Sequence, residues 1–207
     1  MKFFLVAALL CFSMCTSAQI QWALKAGGQI NDASYKRDGA KIATGSVAGF
    51  NAAVLARIYF DDKVAFVTGI QYSAKGFTVK TLPGDTQRTY RLNYVEIPIL
   101  LQIDLSAKRG EGLYCKLGPT IGIGLHGKET HTGMNGMEVR NKAKLSLTGN
   151  YFGLFDASLN AALGYSFTQK FFAEAMYAYG VGNINNDQAG PNIKNRVLSL
   201  SVGYFLR

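Results

Sequence analysis

The chain has 207 residues, with 22 Lys and Arg against 13 Asp and Glu and three Cys; this length suits one domain, and the cysteines are too few for a disulfide-stapled scaffold. Hydrophobic residues make up 48%, with 11 Tyr, 13 Phe and 23 Gly, yet after residue 18 no apolar run approaches the roughly 20 residues of a membrane-spanning helix, which excludes a helical membrane protein. Apolar and aromatic matter without helical spans suits the wall of a β-barrel, although a soluble β-sandwich shares the composition.

The chain opens as a secretory signal does. Lys2 supplies a positive n-region, Phe3 to Met14 is an uncharged apolar run, and Thr16-Ser17-Ala18 presents the small side chains of a cleavage site. Residues 1–18 are therefore expected to be a signal peptide, and residues 19–207 a mature barrel domain starting at Gln19. Cys15 raises a rival lipoprotein reading, but the preceding Phe12-Ser13-Met14 fits a lipoprotein signal poorly. Cleavage after Ala18 leaves Cys115, expected as a small apolar side chain in a strand.

Beyond the signal, the side-chain period is two. Residues 20–30, 46–60, 64–79, 90–105, 113–126, 151–167, 171–182 and 195–206 read as strands. In the fourth, Val95, Ile97, Ile99, Leu101 and Ile103 alternate with Tyr94, Glu96, Pro98, Leu100, Gln102 and Asp104. In the sixth, Phe155, Leu159, Leu163, Tyr165 and Phe167 oppose Asp156, Ser158, Asn160, Gly164 and Ser166. The last sets Leu198, Leu200, Val202 and Tyr204 against Ser199, Ser201 and Gly203. Successive strand side chains point to opposite faces, so each strand has one apolar and one small or polar face.

Connections alternate in length. Segments 61–63, 106–112 and 168–170 are short, whereas 31–45, 80–89, 127–150 and 183–194 are long and polar. That is the layout of an all-β, eight-stranded antiparallel up-and-down transmembrane β-barrel with both termini on the short-turn side. Aromatics on the apolar parity group at two heights, with Trp22, Phe60, Phe66, Phe167, Phe171 and Tyr204 near the short turns and Phe50, Tyr72, Phe155, Tyr177 and Tyr179 toward the long loops. Rings collect in this way at the two headgroup levels of a membrane. Pro98, inside the fourth strand, removes a ladder hydrogen bond and predicts a bulge there.

Tyr94-Val95-Glu96-Ile97-Pro98-Ile99-Leu100-Leu101, Lys116-Leu117-Gly118-Pro119-Thr120-Ile121-Gly122 and the closing Asn195-Arg196-Val197 to Gly203-Tyr204-Phe205 resemble the outer-membrane β-barrel family of Bacteroidetes sometimes called PorT-like. The resemblance runs over the whole mature chain and implies an outer-membrane location; one branch of the family is tied to protein secretion. The ending Phe205-Leu206-Arg207 departs from the aromatic terminus of a standard assembly signal.

An eight-stranded barrel has an interior only wide enough for side chains to fill. The inward parity carries Lys25, Arg57, Asp104, Lys116 and Glu174 in its lower part and Lys75, Glu96 and Asp156 higher, so a lumen charge network with both signs at each level is expected. A proton or ion path along these groups is the functional alternative. Lipid-modifying catalysis would need a nucleophile, a base and an orienting acid. His126 and His131 are the only candidate bases, and Ser146, Glu129 and Glu138 share their region without a recognisable spacing. No Cys/His metal spacing and no phosphate-cradling glycine motif occurs, so no cofactor is expected.

Without Lys2 the chain holds 21 Lys and Arg against 13 Asp and Glu, a net charge of +8. Segments 31–45, 79–91, 127–150 and 183–196 carry +1, +2, +2 and +1 of it by count. A cationic long-loop rim suits lipopolysaccharide phosphates or another anionic partner. A chain that leaves the cytoplasm is not expected to meet nucleic acid. The sequence thus predicts a non-enzymatic outer-membrane barrel with a plugged polar lumen and a structural, envelope or surface-interaction role. An accessory role in secretion is the alternative, and a lipid-modifying enzyme the third.

Overall fold

Alternating apolar and polar side chains carry most of the chain into eight long strands, β1 (Ile20–Arg37), β2 (Thr44–Tyr59), β3 (Val64–Lys80), β4 (Gln87–Asp104), β5 (Gly112–Thr132), β6 (Phe155–Ser166), β7 (Phe171–Gly180) and β8 (Asn192–Phe205). The computed structural model describes residues 20–80, 87–106, 109–133, 138–143, 145–146, 152–187 and 190–206. The expected signal peptide and its Cys11 and Cys15 lie outside the described residues.

Each strand pairs antiparallel with the next, and β8 returns to β1 from Ala23↔Phe205 to Lys36↔Asn192. The ring is an all-β, up-and-down antiparallel barrel with no open edge, so its backbone polar groups pair within the wall. The outward face is the apolar parity: Leu198, Leu200 and Val202 are 55%, 67% and 66% exposed. Ile97, Ile99, Leu101, Leu159, Leu163 and Phe171 continue this belt. In water so much contiguous aliphatic surface would be unfavourable by roughly 25 cal/mol per Å²; in hydrocarbon it is matched. Both aromatic groups lie on this wall, with Trp22, Phe60 and Phe171 exposed at the short-turn end and Phe50, Phe155 and Tyr177 at the other.

The strands overrun the expected bounds on the long-loop side. β1 continues to Arg37 and turns back through Asp38-Gly39, with φ of 51° and 77°, into Ala40–Ile42. Positive φ at both central residues is what a tight hairpin turn requires, and Asp-Gly meets it. β5 continues to Thr132 and pairs with Glu138–Ala143. Parts of segments 31–45 and 127–150 are therefore ladder rather than loop. β6 is shorter than expected. Phe152–Gly153 leaves the wall and pairs in parallel with Leu145–Ser146, because the Phe152 ring packs edge-on against Tyr90 at 5.1 Å and Gly153 N–H donates to the Ile184 carbonyl.

The bulge expected at Pro98 is not there. Pairing with β3 runs Thr68↔Ile99 and then Gln71↔Glu96, and pairing with β5 includes Pro98↔Thr120 before and Leu101↔Leu117 after, without a change of register. The missing N–H interrupts the ladder, yet the same pairs resume on both sides. β4's register shift falls instead at Asn93/Tyr94, and β2 shifts against β3 between Ser46 and Asn51.

Candidate functional site

The inward parity gathers eight buried charged side chains, four cationic and four anionic: Lys25, Arg57, Lys75 and Lys116 with Glu96, Asp104, Asp156 and Glu174. Each stands opposite an outward apolar neighbour, so its place follows from strand parity alone. Ions this deep are tolerable only with partners.

Six of the eight meet in two clusters. Toward the long loops, Lys75 Nζ on β3 reaches Glu96 Oε1 on β4 at 2.5 Å and Asp156 Oδ2 on β6 at 2.8 Å. Gln71 donates to Glu96 at 2.8 Å and Asn195 to Asp156 at 2.9 Å. Closer to the short turns, Glu174 on β7 accepts from Lys25 on β1 at 3.3 Å and Lys116 on β5 at 2.5 Å, and also accepts from the Tyr114 hydroxyl at 3.2 Å. Lys75 with two acids has a formal charge of −1, and Glu174 with two lysines +1. Partners within each cluster come from strands up to three places apart in the ring, so the links cross the interior.

Arg57 and Asp104 are not brought together as a pair. Asp104 accepts from Tyr59 Oη at 2.9 Å, Gln102 Nε2 at 2.6 Å and Gly110 N–H at 3.1 Å. Arg57 stacks its guanidinium 3.9 Å from the Phe205 ring centroid and donates to Gln21. Neutral polar side chains missing from the expected charge set complete the interior. Gln29 bonds Asn31 and Ser73, Asn51 accepts from Ser201, and Asn160 bonds Thr120. Their signal was available, since all but Asn31, which lies past the expected end of the first strand, occupy the inward parity of expected strands.

Above the Lys75 cluster the interior turns apolar. Phe77, Leu92, Tyr94 and Ile184 are fully buried with Ala33, Val79, Ala143 and Ile193, and Phe77, Tyr90 and Phe152 form a three-ring group. Ile184 comes from the expected long loop 183–194 and is held by its N–H to the Ile193 carbonyl at 2.9 Å. Nothing in a polar, Asn-rich segment marks this one isoleucine as an inward anchor.

The candidate catalytic residues do not form a constellation among the described residues. His126 Nε2 lies 3.0 Å from Asn93 Nδ2, His131 pairs with Glu129 at 3.0 Å, and Glu138 with Arg140 at 3.0 Å. The Ser146 side chain lies outside the described residues. Among the described residues, no group of three or more His, Cys, Asp and Glu could hold a metal ion.

A family model described as an outer membrane protein beta-barrel domain matches residues 16–186. The chain belongs to this outer-membrane β-barrel family. Membership places the barrel in an outer membrane and accounts for its apolar exterior. Among solved structures, Ail, the attachment invasion locus protein of Yersinia pestis, is 17% identical, covers 91% of this chain and 99% of its own, and has a TM-score of 0.50. Neisserial surface protein A is 14% identical over 88% of this chain and 97% of its own, with a TM-score of 0.46. The N-terminal β-barrel domain of Pseudomonas aeruginosa OprF is 15% identical over 92% and 100%, with a TM-score of 0.41. At these identities the likeness is one of fold. No curated protein matches the sequence.

Proposed function

We propose that this barrel is a plugged, non-catalytic scaffold that acts through its long-loop rim, binding anionic groups of the cell envelope or of surface polysaccharides. The observation that carries the reading is the double cross-bracing of the interior by Lys75 and Glu174, beneath the apolar group around Phe77 and Ile184. A lumen occupied in this way favours neither an aqueous channel nor an ion path, and leaves the rim as the working surface. The rim segments carry most of the net positive charge by count. Phosphates of lipopolysaccharide offer the matching sign, and strands that outrun the apolar belt hold the rim above the membrane. The Tyr94-to-Leu101 motif supports a place in the outer-membrane β-barrel family common in Bacteroidetes and sometimes called PorT-like, and the apolar run after Lys2 supports residues 1–18 as a signal peptide.

The structure of Ail was determined in complex with sucrose octasulfate, a heparin analogue, which makes that polyanion a suitable probe. The refolded barrel should bind sucrose octasulfate and lipopolysaccharide with an affinity that falls as salt rises, and should give no conductance steps in planar bilayers. Stable ion-conducting steps, or an absence of salt-sensitive binding to either probe, would contradict the proposal.

A further inference from the structure

Three cations stand side by side on the outer face of the barrel, above the apolar belt. The ladder pairs Arg91 on β4 with Lys128 on β5, and Lys128 in turn with Lys142 in the Glu138–Ala143 strand. Each adjoins a buried residue that faces the interior (Leu92, Gly127 and Ala143), so parity turns all three cations outward, where they are exposed. Neighbouring strands lie about 4.8 Å apart, so the three Cα atoms span about 10 Å. Like charges directly opposite one another destabilise a sheet, and here two such pairs share one rung.

The neighbouring acids do not neutralise this row. Glu129 takes the opposite parity to Lys128 and pairs with His131 at 3.0 Å, and Glu138 pairs with Arg140 at 3.0 Å. Lys142 also borders the cavity at the barrel mouth, which Glu129 and Asp187 line, yet among the described residues none of the three cations forms an ion pair. Arg91 Nη1 donates to the Ala48 carbonyl at 3.5 Å. The height of the row follows from the residues beneath it. Tyr72, one of the rings at the long-loop level, donates its hydroxyl to Asn93 at 2.9 Å, and Arg91 stands two residues beyond Asn93 on the same face. At about 3.4 Å per residue, Arg91 lies about 7 Å along the strand from that contact. Lower on the same strands Ile97, Ile121, Ile123 and Leu125 are exposed on the outer wall. Cations over an apolar wall, just beyond the level where rings meet headgroups, match a phosphate that carries acyl chains.

We infer that Arg91, Lys128 and Lys142 bind the phosphate of a phosphorylated lipid in the outer leaflet, the side that long loops face in outer-membrane barrels. The inference rests on the reading of the rim as an anion-binding surface and deepens it, assigning the anion a lipid source and three residues. Arg91 offers the phosphate a planar fork of donors and the two lysines offer point charges. The bound phosphate relieves the repulsion along the rung, and the acyl chains lie against the isoleucines below. A soluble polyanion makes no use of that wall.

The test is native mass spectrometry of the full barrel in an uncharged detergent over a series of salt concentrations. The probes are diphosphoryl lipid A, the same lipid stripped of its phosphates, and sucrose octasulfate. The expected result is saturable binding of the phosphorylated lipid, several-fold weaker binding of the stripped lipid, and several-fold weaker binding of lipid A when Arg91→Gln, Lys128→Gln and Lys142→Gln are combined. A control that combines Lys63→Gln and Lys170→Gln, both exposed in short turns, should bind lipid A as the wild type does. Without lipid, Lys128→Gln should unfold in urea at the wild-type midpoint or above it, because it relieves repulsion; a lower midpoint would make the row structural and overturn the proposal. Equal affinity for the stripped lipid, or unchanged lipid A affinity in the triple variant, would overturn this site alone if salt-sensitive binding of sucrose octasulfate persists. Absence of salt-sensitive binding to either anion in the wild type would overturn the rim reading as well. Tighter binding of sucrose octasulfate than of lipid A, with the same loss in the triple variant, would overturn the lipid assignment.

Discussion

Lys75 Nζ lies 2.8 Å from Asp156 Oδ2, although the two residues stand on strands three places apart in the ring. The contact crosses the interior, where both side chains are almost wholly buried. A pair within one hairpin would brace two strands, whereas this one ties opposite walls and ranks among the contacts that define the lumen.

Removing a single partner from such a cluster should be costly. Glu174→Ala leaves Lys25 and Lys116 buried without their shared acid, and should destabilise the barrel by about 3–5 kcal/mol. In urea unfolding of the refolded protein the midpoint should fall clearly below that of Leu200→Ala, a change on the 67% exposed outer wall. Equal midpoints for the two variants would contradict the role given to Glu174.

Two glycines make room for lumen rings. A Cβ at Gly164 would collide with the Tyr114 ring, and one at Gly203 with the Phe172 ring. Gly164→Ala and Gly203→Ala should each cost about 1–3 kcal/mol by overpacking. Gly28, whose Cβ would meet nothing within 4 Å, should accept alanine with a much smaller change in urea midpoint.

The rim hairpin should respond locally. Gly39 sits at φ 77°, where a Cβ costs roughly 1–2 kcal/mol. Gly39→Ala should speed limited proteolysis between residues 37 and 42, while the urea midpoint of the barrel stays within error of the wild type. A large drop in that midpoint would show that the hairpin is integral to the wall.

The wall was legible in the sequence because its physics is periodic. A parity that reads Leu198, Leu200, Val202 against Ser199, Ser201, Gly203 leaves one way to face lipid, and the same parity turns Glu96 and Lys116 inward. What escaped was aperiodic. Ile184 anchors the upper cluster from an Asn-rich loop, and its partners Phe77, Leu92 and Ala143 come from three distant segments. The continuation of β1 is signalled by Asp38-Gly39, a hairpin dipeptide that lies inside a polar stretch. Pro98 misled because losing one N–H interrupts a ladder without having to shift it; the shift at Asn93/Tyr94 carries no proline or glycine at those two residues to announce it. The pairing of charges by level was readable, but Arg57 turning to Phe205 and Gln21 rather than to Asp104 depends on ring placement that spacing does not encode.

Accessibility mapping of single cysteines in a Cys115→Ser background shows directly whether the apolar parity faces lipid. Cysteines replacing Ile97, Ile99, Leu198 and Leu200, all exposed on the outer wall, should resist a water-soluble thiol reagent and be reached by a lipid-borne quencher. Cysteines replacing Asp38 and Asp187, on the long-loop side, should label from outside the cell. If the four wall positions react with the water-soluble reagent as fast as the two rim positions do, the wall lies in water and the membrane barrel is contradicted.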